Sequence, residues 1–99
     1  MAEKIYLVRD NGLRCFVAPC FSWDIVDGDS QKVSVASALD LSKLGLSAEQ
    51  TAQVMGALTK GQLHVKGYLV GYEVKISDDL PPSEGIRFVV VQIVGEANP

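Results

Sequence analysis

Histidine, tryptophan and cysteine are almost missing from this chain: His64, Trp23 and the pair Cys15 and Cys20 are all that 99 residues contain. One histidine and an x4 cysteine gap match no zinc pattern, since those sites draw several His or Cys ligands at set spacings. Asp24, Asp27 and Asp29 have neither the spacing nor the length of a calcium loop. No metal and no cofactor is therefore expected. GxSxG, the P-loop and GxGxxG are also absent, and Gly61, Gly67 and Gly71 lie in and around an apolar run instead of opening a helix. Cys15 or Cys20 with His64 is the one Cys/His combination available, and no local signature surrounds either thiol. No catalytic residue is assigned, and enzymatic activity is left open.

Other scarcities narrow the classes further. Two cysteines are too few for the disulfide framework of a small secreted domain. Five positions apart on a continuous strand, they would point to opposite faces, so they read as buried free thiols. The nine Lys and Arg residues are scattered and the formal net charge is -3, which excludes a nucleic-acid binder working by phosphate neutralisation. No apolar run approaches the eighteen or so residues of a membrane span, and MAEKIYLVRD carries charge where a signal peptide needs an apolar core. A soluble, cytoplasmic, acidic protein is expected.

What is present is enough apolar side chain, 47% of the residues, to fold one domain over residues 1–99. Two long apolar runs, LHVKGYLVGYEVKI and IRFVVVQIV, flank the turn-rich SDDLPPSEG and read as a long antiparallel hairpin. In the first run the apolar phase shifts by one residue at Lys66-Gly67, which predicts a β-bulge. The second is apolar on both faces, as a central strand would be.

Near the start, Asn11-Gly12 between apolar runs predicts a tight hairpin of Lys4–Asp10 with Leu13–Phe21. That register sets Val8 opposite Cys15, Leu7 opposite Phe16, Tyr6 opposite Val17 and Arg9 opposite Arg14. Pro19 limits the second strand to an edge or ends it. Residues 22–31, SWDIVDGDSQ, look irregular and are the best place for a functional loop. Residues 32–41 alternate as a half-buried strand, with a helix from Ser34 to Leu44 closed by Gly45 as the competing reading.

The clearest helix runs from Ser47 to Lys60. Ser47 and Gln50 form a capping box, Gly61 is placed to close the C-terminus, and Thr51, Val54, Met55 and Leu58 make one apolar stripe. Gly56 in its middle suggests a close backbone approach. The fold expected is α+β, an antiparallel sheet of about five strands in the order βββαββ with one amphipathic helix on one face.

Function enters through bookkeeping of surface. One helix cannot cover both faces of a sheet whose strands are apolar on both, so the second face needs loops, curling into a barrel, or another subunit. The expected function is a non-enzymatic protein-interaction or self-associating module, with a homodimer favoured because two-fold dimers are the commonest closed assembly. The alternative is a small-ligand binder or enzyme with an aromatic-lined pocket between helix and sheet, whose acidity suits cationic or neutral ligands. The binding residues expected are Trp23, Asp24, Tyr68 and Tyr72, because aromatic side chains with polar tips favour interfaces and pockets.

Overall fold

Residues 4–15, 19–75 and 77–96 are described by the computed structural model. The first strand, β1 (Ile5–Asp10), does not pair with the segment just after Asn11-Gly12. Its partner is β2 (Trp23–Asp27), with Arg9 opposite Asp24, Val8 opposite Ile25, Leu7 opposite Val26 and Tyr6 opposite Asp27. The expected partners Phe16 and Val17 lie outside the described residues.

Asn-Gly has been used for a different turn. The Asn11 N–H donates to Ser22 O at 2.9 Å. Its side-chain amide donates to Phe21 O at 2.9 Å and Asp24 Oδ1 at 3.2 Å. The Gly12 and Leu13 N–H groups fold back onto the side chains of Asp10 and Asn11. These are the local Asx contacts that let Asn and Asp turn a chain without a tight hairpin. Asn11 thus closes the base of a longer loop, and the strand begins where alternation of inward Trp23 and Ile25 resumes.

The run at 32–41 is a strand, as its alternation predicts, but Ser37 breaks it. β3 (Val33–Ala36) pairs with β2, and β4 (Ala38–Asp40) pairs with β6 (Ser83–Glu96). The helical competitor survives as one 3₁₀ turn, Ser42–Leu44, ended by Gly45 at φ 64°. Helix α1 (Ala48–Thr59) has both arms of the Ser47/Gln50 capping box, and Gly61 takes φ 69°. Leu58 is fully buried, while Val54 and Met55 pack against the core. The space beside Gly56 is open to 4 Å, so no close approach explains that glycine.

Strand β5 (Leu63–Val74) runs antiparallel to β6 and also to β1, with register shifts after His64 and after Lys66. The second shift is the bulge expected at Lys66-Gly67. A Cβ on Gly67 would collide with the Val89 carbonyl oxygen and lie 2.8 Å from the Phe88 ring, so the bulge brings backbone against backbone where only glycine fits.

Among the described residues the fold is α+β with one α-helix, as expected, and the sheet has six strands in the order β3-β2-β1-β5-β6-β4, one pair of them parallel, where about five antiparallel ones were expected. Its two outermost members are neighbours in sequence, joined through Ser37 alone, so the edges must meet and the sheet curls on itself. The Ser37 N–H donates to Ile86 O at 2.7 Å, and the Ile86 N–H donates to Ser37 Oγ at 3.1 Å. Taking β3 and β4 as one bent strand, the ring has an odd number of members. Directions cannot alternate all the way round an odd ring, and β4–β6 is the parallel pair that results.

Inside the curl, Val8, Ile25, Ala36, Leu41, Leu58, Val65, Phe88 and Val90 form one buried cluster. Tyr6 meets Phe88 edge to face, with ring centroids 5.3 Å apart. The predicted two-sided burial of the last strand holds where it runs between β5 and β4, at Phe88, Val89 and Val90.

Candidate binding site

Alternation from the strand register separates the four aromatic and acidic residues chosen from sequence. Trp23 pairs with Asp10 and Ala36 and packs against the interior cluster. Asp24, Tyr68 and Tyr72 face outward. Asp24 lies opposite Arg9, 3.5 Å from its Nε. Along β5, Tyr68 is displaced from His64, the partner of Leu7, in the direction away from Arg9. The outward face thus carries all three residues, but Asp24 is not beside the tyrosines.

Tyr72 is the most constrained of them. Its hydroxyl is 2.8 Å from Ser37 Oγ, its ring lies over the Gly85 backbone, and the Arg87 guanidinium carbon sits 4.8 Å from its centroid. Ser37 can accept from Tyr72 and from the Ile86 N–H while donating to Ile86 O at 3.1 Å. That network pins the closure seam of the curl. Tyr68, by contrast, is 45% exposed, and Ile5, Val33, Val35 and Val70 share its outward face at 39–50% exposure.

A concavity of about 520 Å³ opens beside this seam. It is lined by Phe21 on one side and by residues 71–73 and 84–86 of the β5–β6 hairpin on the other. Closure explains why Phe21 is there: Trp23 pairs with Ala36, and the next residue, Ser37, bonds Ile86. Glu73 stands directly opposite Glu84, and Gly71 opposite Ile86. Residues two apart on a strand share a face, so both carboxylates lie on the same side as Ile86. Among the described residues neither glutamate has an ion-pair partner, whereas Lys4, Arg9, Arg14 and Lys75 are each matched with an aspartate.

The concavity between α1 and the β4–3₁₀ segment is smaller, about 260 Å³, and its walls are Leu39, Leu41, Leu46, Thr51 and Met55 with no aromatic ring. Phe21, Glu73 and Glu84 were missed from sequence. A signal existed for the glutamates, which are equidistant from the midpoint of Asp78–Asp79 and so face each other once that turn is taken as the hairpin's centre. Phe21 had none, because only closure of the sheet brings it across.

Two further acidic groups are structural. Asp27 accepts from the Asp29 N–H at 2.9 Å, Lys4 Nζ at 3.0 Å and the Ser30 N–H at 3.3 Å. These contacts, the Asp29 N–H first, hold its carboxyl below the ordinary value. Asp10 is likewise lowered, first by Arg14 and then by the Gly12 N–H. Cys15 and Cys20 are disulfide-bonded, with Cα atoms 5.6 Å apart. They are not free thiols: the described residues on either side of the pair form no strand, so opposite-face geometry does not apply. Cys15 is exposed and Cys20 half-buried.

No group of three or more His, Cys, Asp or Glu residues among the described residues could hold a metal ion. No helix among them is long and apolar enough to cross a membrane. No curated protein and no solved structure matches the chain. A family profile does match, over residues 1–94, and on that coverage the chain belongs to the family described as Domain of unknown function (DUF6748).

Proposed function

We propose that the protein is a non-enzymatic binding module that self-associates as a homodimer through the outer face of its curled sheet. The observation that carries this reading is the set Ile5, Val33, Val35, Tyr68 and Val70, each 39–50% exposed on the face that α1 does not cover. Curling sets Val8, Ile25, Val65, Phe88 and Val90 against one another inside, and Ile5, Val33, Val35, Tyr68 and Val70 stay outside. A second copy would remove several such side chains from water, at roughly 1.5–3 kcal/mol for each one fully buried.

The working location in this reading is an oxidising compartment, because the Cys15–Cys20 bridge would not persist in the reducing cytoplasm that composition suggests. Light scattering at micromolar concentration should give twice the 10.7 kDa chain mass. Val35→Lys with Tyr68→Lys, both at exposed positions, should give a folded monomer. A wild-type monomer across that range would end the proposal.

A further inference from the structure

The concavity at the seam combines an apolar wall with a charge that nothing among the described residues answers. Phe21 and Ile86 supply the wall, and Gly71 leaves the floor low, since the nearest atom to a Cβ there would be 3.9 Å away. Glu73 and Glu84 stand opposite each other on adjacent strands, an arrangement that costs stability because like charges directly across a ladder repel. Arg87, the nearest basic residue in sequence to Glu84, belongs to the opposite face and is occupied over the Tyr72 ring. Lys75 is turned to Asp78 at 3.2 Å. The hairpin from Glu73 to Glu84 holds four carboxylates against one ammonium, so the field around the concavity is negative and draws cations.

We infer that this cleft binds a small organic cation with an aliphatic stem, an alkylguanidinium or alkylammonium. The stem would lie against Phe21 and Ile86, and the cationic head would sit between Glu73 and Glu84, relieving their repulsion. A volume of about 520 Å³ is in the range of small-molecule sites. The Phe21 ring adds a face on which a guanidinium can stack. The Ser37–Tyr72 network holds the Gly85–Ile86 floor in place without a ligand, so the site is formed before binding and little ordering opposes it. Charge complementarity selects the occupant, since a neutral or anionic molecule of the same shape would leave both carboxylates unanswered. The outer-face dimer involves none of these side chains, so either reading can fail alone.

Butylguanidinium titrated into the uniformly ¹⁵N-labelled chain should shift the amide resonances of Phe21 and of residues 71–73 and 84–86 saturably. Glu73→Gln and Glu84→Gln should each weaken binding about tenfold, the scale of one charge-assisted hydrogen bond. Both variants should keep or raise the melting temperature, which shows that the loss is not unfolding. Asp78→Asn with Asp79→Asn alters the same negative hairpin outside the cleft and should leave binding within about twofold. Absence of saturation, equal binding of butanol, or an equal loss in the Asp78/Asp79 variant would each overturn the assignment. Tenfold tighter binding of a capped Gly-Arg-Gly peptide would overturn its small-molecule part.

Discussion

Gly67 and Gly56 occupy opposite extremes of local packing. At Gly67 an added methyl meets the Val89 carbonyl and the buried Phe88 ring, neither of which can withdraw cheaply, so Gly67→Ala should destabilise by about 1–3 kcal/mol. Gly56 is exposed in mid-helix with open space beside it, and Gly56→Ala should stabilise by about 0.5–1 kcal/mol. Urea unfolding with an unchanged m-value checks both signs. Asp27 offers a test by pH. Its folded pKa is below the ordinary 3.8, so its contribution is present above the unfolded pKa and disappears as pH falls through the folded value. Asp27→Asn should therefore melt lower than wild type at pH 7. The two melting curves should converge as pH drops below about 3.8, and a constant gap would show that ionisation of Asp27 is irrelevant.

At the level of elements, α1 and the β1–β2 loop differ in where their information lies. The helix is specified within its own residues: cap, stripe and closing glycine are all local. The loop is not, because its end-to-end contact, Asn11 to Ser22, spans residues whose pairing depends on which later segment wins β1. The disulfide belongs to this loop and closes a sequence separation of 5. Among the described residues, no member of the buried cluster lies within it. Its removal should thus cost about 2 kcal/mol through loop-closure entropy while leaving a cooperative transition. Wild type with a dithiol reductant should melt with the Cys15→Ser/Cys20→Ser variant, and the variant should ignore the reductant. A variant that lost its fold altogether would mean the bridge holds the β1–β2 pairing itself.

For the molecule as a whole, ring closure governs what is exposed. Once β3 and β4 meet both ends of the sheet, Val8, Ile25, Val65, Phe88 and Val90 are buried together with Leu58 of the helix, and Tyr68 and its aliphatic neighbours stay on the outer face. If that face joins two copies, thermal stability must rise with protein concentration, because association favours the folded side by mass action. The Val35→Lys/Tyr68→Lys chain should show no such dependence. The cleft is also a product of closure, since Phe21 and Glu84 are separated by most of the sequence.

Much of this architecture was written in local patterns. Ser47 to Gly61 gave the helix to within a residue at either end, the phase break at Lys66-Gly67 gave the bulge, and the alternation of 32–41 gave a strand. Three readings failed for one reason. Asn11-Gly12, the residues 23–27 and the Cys15–Cys20 pair each satisfy local rules in more than one way, and choosing between them needs the energy of contacts made elsewhere. β1 chose Trp23–Asp27 because that strand turns Trp23 and Ile25 inward beside Val8 and Ala36. The sequence by itself determined the elements, since hydrogen-bond periodicity, caps and bulges act over a few residues. Only the tertiary structure decided their partners, the parallel pair and the acidic cleft, because a sheet edge joins whichever distant edge completes the burial of one core.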